Sequence, residues 1–217
     1  VNLTGDPADE LVKLSISAED VDCLGVGLSC ACDSPLGSVA RELLERLSCP
    51  VFLVRADMRP LRAVRRLLVP LEGTPSSSAA MLFVEDQLCE PGREIVMVNV
   101  ATGRAPGELG SLPAPCFVDQ EQYEWAEWQD EFARRFSPRS GGRDQRINVI
   151  AGDPPDAIAA AARADCADVV VLSWKGSFLA GHGRIVLRLM AISPCPLLLI
   201  SATWTAGPRD AAMIAGE

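Results

Sequence analysis

The sole histidine, His182, stands between Gly181 and Gly183 and is followed by Arg184. An imidazole gives or takes a proton near neutral pH, so acid–base chemistry is sought here first. Around it the sequence shows no nucleophile with a matched base, no carboxylate pair and no ligand set for a metal. No catalytic residue is therefore assigned, and the chain is expected not to be an enzyme. Gly183 opens ten residues of helical pattern. The backbone amides of Gly183, Arg184 and Ile185 would face an anion at the start of that helix. Glu72 and Gly73 follow the apolar run 67–71, where a strand would deliver a carboxylate to a turn.

The eight cysteines offer a second chemistry. Cys49 and Cys195 precede prolines at helix-to-strand junctions, Cys23 and Cys166 lie in or near strands, and only Cys30 and Cys32 are close in sequence. Structural zinc needs four ligands, and His182 is remote from that pair. Thiols in a reducing cytosol are the expected state, with no metal.

The elements that must position these groups alternate. Residues 65–73 give a basic start, an apolar strand and the Glu72-Gly73 turn; 74–92 reads as a helix with Thr74 as cap and Pro75 at its first position. Strands follow at 94–100, 147–152, 167–173 and 195–201, with helices after Asp153-Pro154 and from Gly183 to Ser193. The intervening 101–146 is a Gly- and Pro-rich loop followed by a helix at 119–136. There Trp125 and Trp128 suggest a packing lid or an interface. Near-continuous Val, Ile and Leu strands alternating with helices predict an α/β fold, a five-stranded parallel doubly wound sheet. In such a sheet the ligand crevice lies beyond the carboxyl ends of the strands at the switch point. That places it near Leu71, Glu72 and Gly73, Asn99 and Val100, and the stretch 173–184, which includes Gly176.

Part of this pattern occurs twice. GSVARELLERLSCPVFLV (37–54) parallels GRIVLRLMAISPCPLLLI (183–200), and Gly37/Gly183, Cys49/Cys195 and Asp22/Asp168 are each 146 residues apart. GDPADELVKL (5–14) parallels GDPPDAIAAA (152–161) at nearly the same offset. The chain therefore reads as a partial first unit at 1–58 holding the last three strands, with VNLTG (1–5) as the first of them. A linker at 59–66, a complete unit at 67–203 with the insertion 101–146, and a tail at 204–217 follow. The runs 51–54 and 197–200 each end a unit, are short and wholly apolar, and carry no charge to protect a sheet edge. They are expected to pair with each other, within one chain or in a homodimer, through Val51–Val54 and Leu197–Ile200.

A net charge of −9 argues against general binding to nucleic acid or anionic membrane. No apolar window approaches twenty residues and the first residues lack a signal-peptide pattern, so a cytoplasmic location without membrane insertion is expected.

LLVPLEGTPSSSA, GDPPDAI, ADVVVLS and GRIVLRLMAISPCPLLLI, with DVDCLGVG in the first unit, resemble the universal stress protein (UspA-like) family. The resemblance implies an adenine nucleotide alpha hydrolase-like sheet of order 3-2-1-4-5, pairing through last strands, tandem copies and a role in stress response. It also implies ATP or AMP binding in many members, with magnesium only alongside the nucleotide. The nucleotide motif it implies, Gly-x2-Gly-x9-Gly-(Ser/Thr), is altered here. Ser173 replaces the first glycine, six residues separate Gly176 from Gly183, and Arg184 stands at the hydroxyl position. In the first unit Gly27, Gly37 and Ser38 are kept, but Cys30 interrupts and the spacing is again six. Glu72 stands where the family's acidic residue would be. Leu71, Glu72, Gly73, Val100, Gly176, Gly183, Arg184 and Ile185 are thus the candidate nucleotide contacts. The same glycines suit plain turns at a helix start, Arg184 a solvated first-turn side chain, and Glu72 a solvent-facing turn. The implied function is a non-catalytic module with a nucleotide crevice that is intact or degenerate. The alternative is a soluble regulatory domain of a larger protein such as a membrane transporter.

Overall fold

β-Branched and leucine runs too short for helices take up extended structure where both faces of a sheet are covered. In the computed structural model, which describes residues 4–17, 22–28, 36–58, 60–72, 75–101, 147–178 and 181–204, seven such runs form one sheet. They are β1 (Leu24–Leu28), β2 (Val51–Arg55), β3 (Arg66–Pro70), β4 (Glu94–Ala101), β5 (Ile147–Ala151), β6 (Val169–Trp174) and β7 (Leu197–Ser201), in the order β1-β2-β7-β6-β3-β4-β5. The helices are α1 (Pro7–Ser17), α2 (Ser38–Arg46), α3 (Pro75–Phe83), α4 (Pro154–Ala164) and α5 (Gly181–Ile192).

Within 66–201 the order is the 3-2-1-4-5 implied by the resemblance, and every pairing there is parallel. β3 is central, with Leu67 opposite Ile95 of β4 and Val169 of β6. The chain moves outward from β3 to β4 and β5, then returns to β6 and β7. The switch point therefore lies between β3 and β6.

β1 and β2 extend the sheet beyond five strands. They are parallel to each other, and β2 runs antiparallel to β7, with Phe52 opposite Leu198, Val51 opposite Leu199 and Leu53 opposite Leu197. The 146-residue offset maps Phe52 onto Leu198 itself and exchanges the other two pairs. The seam thus has the self-complementary register of a twofold contact. Of the three strands expected at 1–58, two are among the described elements. Thr4 and Gly5 lie outside any strand, and Val1–Leu3 lie outside the described residues.

Alternation along the strands sorts the core onto two faces. Leu53, Val170, Leu172, Leu197 and Leu199 pack with Leu43 and Leu44 of α2, Ile158 of α4 and Leu189 of α5. Val69, Val171, Leu198 and Ile200 pack on the other face with Met81 and Phe83 of α3.

Several boundaries differ from the expected ones. α3 begins at Pro75 as its fixed φ favours, but gives way to a π-turn at Val84–Leu88 and ends before 92. Asp153 holds the N-cap position of α4 without a side-chain cap bond, whereas Asp6 Oδ1 accepts the Ala8 and Asp9 amides of α1. Trp204, at the start of the expected tail, is docked edge-on against Phe83 with ring centroids 5.2 Å apart. The insertion helix with Trp125 and Trp128, the Cys30/Cys32 pair, Thr74 and Gly73 lie outside the described residues. Among the described residues no helix is long and apolar enough to cross a membrane.

Candidate functional site

β3 and β6 are neighbours running the same way, so their carboxyl ends deliver Leu71-Glu72 and Ser173-Trp174 to one edge of the sheet. Leu71 is buried, donates its amide to Val98 O at 2.8 Å and accepts Asn99 Nδ2 at 2.8 Å. Asn99, itself buried, thereby fixes the turn that presents Glu72. Val100, half-buried, packs toward the first core face.

His182, one residue into α5, places Nδ1 2.7 Å from Glu72 Oε1 and Nε2 3.2 Å from Ser173 O. Both neighbours are acceptors, so the ring serves both only when each nitrogen carries a proton. The sequence reading found no partner for His182; Glu72, 110 residues away, is that partner. Glu72 remains exposed, with 39% of its side-chain surface accessible, but is held by this ion pair. The signal was present in the topology, since two strands adjacent at a switch point bring the residues after them together.

The hydrogen bond from His182 holds the Glu72 carboxyl below its ordinary value of 4.5, against an opposing effect of burial. A carboxylate whose folded value is depressed stabilises the fold above its unfolded value, and that contribution disappears as pH falls through the folded value. The stability difference between wild type and Glu72→Gln is therefore expected to shrink as pH drops below about 4.5. Urea unfolding of both proteins between pH 7 and 3 checks this. A difference that grows toward acid would contradict the pairing.

The loop from Trp174 to Phe178 packs between α2 and the start of α5. Trp174 Nε1 donates to Leu44 O of α2 at 2.6 Å, and the Phe178 ring packs tilted by 50° against Trp174 with centroids 4.7 Å apart. The Arg41 guanidinium lies 4.8 Å from the Phe178 centroid, a cation–π contact. Gly176 has φ +72, a left-handed conformation that favours glycine. A Cβ on Gly183 would stand 2.5 Å from Phe178 Cα and 2.6 Å from Ser177 O. The glycine at the start of α5 is thus required by the chain's own backbone.

α5 begins at Gly181, and by helix geometry its partnerless amides fall at its first residues; Ile185 already bonds within the helix. Arg184 is exposed and Ile185 packs toward the core. In the first unit Gly27 lies in β1, and Gly37 is the N-cap of α2 just before Ser38, with open space at both glycines. At the carboxyl end of β3 Glu72 is tied to His182, and the Leu71 amide and carbonyl are both engaged. Beside the first amides of α5, Ser177 and Phe178 pack on Gly183 so closely that only glycine fits there.

Cys23, Cys49, Cys89, Cys166 and Cys195 are free thiols, and burial pushes the pKa of Cys23, Cys49 and Cys195 up. Asp6, Asp9 and Glu42 cluster on the surface. Arg46 bridges Asp9 and Glu42, and Asp6 caps α1.

A doubly wound, largely parallel sheet with Glu72 and His182 paired at its switch point defines an α/β protein of nucleotide-binding-like topology. The model of the universal stress protein family matches residues 63–201, and the chain belongs to that family. Among solved structures it is similar to a universal stress protein from Archaeoglobus fulgidus, with 19% identity and a TM-score of 0.63 over 91% of this chain and 66% of that one. It is also similar to a putative universal stress protein from Pseudomonas aeruginosa, with 14% identity and a TM-score of 0.57, covering 91% of this chain and 69% of that one. The chain thus spans about two thirds of the length of these structures. No curated protein matches the sequence.

Proposed function

We propose that this chain is a non-catalytic universal stress protein module whose crevice takes an adenine nucleotide, ATP or AMP, weakly. In this reading it acts in the cytoplasm in stress response or regulation. The observation that carries it is the loop between Gly176 and Gly183, three residues shorter than the family motif and packed at Ser177 and Phe178 against the start of α5. The adenosine end keeps its carboxylate in Glu72, tied to His182. Among the described residues no nucleophile is held against that pair, which supports binding rather than turnover. The 146-residue register of β2 against β7 supports a tandem arrangement with a shortened first unit.

Losing a charged hydrogen bond to phosphate removes about 1.5–3 kcal/mol. Calorimetry with Mg-ATP is therefore expected to give a Kd no tighter than about tens of micromolar. Native mass measurement of the purified chain gives the bound species and the oligomeric state together. A nucleotide that survives purification overturns the reading.

β1 favours a second reading. Its counterpart β6 is paired on both sides, whereas β1 pairs only with β2 among the described residues. A regulatory domain within a larger polypeptide, such as a membrane transporter, would have that edge covered. The full-length gene sequence distinguishes the two.

A further inference from the structure

At the opposite end of the strands, where β3, β6 and β7 begin, described residues between β2 and β3 line a cleft of about 1060 Å³. Four arginines line it, Arg55, Arg62, Arg65 and Arg163, against two aspartates, Asp57 and Asp168. This is a local excess of positive charge in a chain of net charge −9.

The charges do not all serve the same purpose. Arg55 donates to Asp57 at 2.9 Å and to Ala191 O at 2.6 Å; Arg163 donates to Ile192 O at 2.8 Å. Both therefore cap the C-terminal carbonyls of α5. Asp168 Oδ2 accepts the backbone amides of Arg65 and Arg66 at 2.8 and 2.9 Å. Both aspartates are thus engaged. The guanidinium groups of Arg62 and Arg65 are exposed and hold no partner among the described residues. Beside them the cleft is apolar, with Leu61, Pro60, Pro194 and Pro196 in its wall.

We infer that this cleft binds a small amphipathic anion. Its phosphate or carboxylate is held by Arg62 and Arg65, and its apolar body lies against Leu61 and the prolines. A guanidinium recognises such groups through charge-assisted and often bidentate hydrogen bonds. The site is separate from the crevice at Glu72 and does not depend on nucleotide binding there.

The test is a fluorescence titration of the full chain with 1-naphthyl phosphate, with 1-naphthol as the uncharged comparison. One equivalent of the phosphate should bind, and 1-naphthol should bind at least about tenfold more weakly, the loss of one charged hydrogen bond. Arg62→Gln with Arg65→Gln should weaken the phosphate by at least about tenfold. His182→Ala should leave it unchanged. Should the double variant melt early, Arg62→Lys with Arg65→Lys keeps the charge, and weakened binding without loss of fold supports the arginine geometry. The inference is overturned by equal binding of 1-naphthol, by an unaffected double variant, by loss of binding in His182→Ala, or by no binding at all.

Discussion

Replacing Gly183 with alanine is expected to destabilise the protein by about 2 kcal/mol, which lowers Tm by about 4–8 °C for a chain of this size. The new methyl group would lie 2.5 Å from Phe178 Cα, 2.6 Å from Ser177 O and 2.8 Å from Phe178 C. All three are backbone atoms, so no side-chain rotation relieves the collision. The loop cannot retreat cheaply either. Phe178 is buried, Trp174 is hydrogen-bonded to Leu44 O, and Gly176 already takes φ +72. Alanine's better helix propensity returns at most about 1 kcal/mol. Gly181→Ala is the internal comparison, because no atom lies within 4 Å of a Cβ built there. That variant should match or exceed wild-type stability. Equal melting temperatures for the two variants would show that the loop does not pack on α5 as described.

A larger loss is expected from Leu199→Lys, about 4 kcal/mol or more. Leu199 is 1% exposed and pairs with Val51 across the β2–β7 seam. The substitution removes buried leucine contacts and puts an ammonium into the apolar cluster that holds Leu53, Leu189 and Leu197. Leu82→Lys, at a site 39% exposed, should stay within about 0.5 kcal/mol of wild type. Denaturant titration of the three proteins checks both values. Wild-type stability in Leu199→Lys would mean that β7 is not an interior strand and that β2 does not cover it.

The strands were legible because each combines an unbroken apolar run with a local stop, as in Cys195-Pro196 before β7. The meeting of Glu72 with the stretch after β6 was legible as a location, since strand order alone fixes where β3 and β6 end. What the sequence hid is contact between residues distant in the chain. His182 has no carboxylate within reach along the chain, and Glu72 reaches it only through the β3–β6 pairing. Trp174 reads as the end of a strand, and nothing local indicates that its indole bonds α2, 130 residues away. At Gly183 the collision that a Cβ would make with Ser177 and Phe178 was hidden, because a glycine required by a ligand and one required by the chain's own backbone are identical in sequence. The π-turn at Val84–Leu88 has no proline or glycine to announce it.

Successive residues of a strand face opposite ways, and at the end of β6 this has a mechanical result. Ser173 Oγ accepts the Ala80 amide of α3 on one side, while the Trp174 indole bonds Leu44 O of α2 on the other. Two consecutive residues therefore rivet both helical layers to the sheet at a single point. Peeling back the last turn of backbone in β6 would release α2 and α3 in one event rather than two. The helix contributed by the first unit and the helix that follows Glu72 share a fastening, although no contact between them is needed.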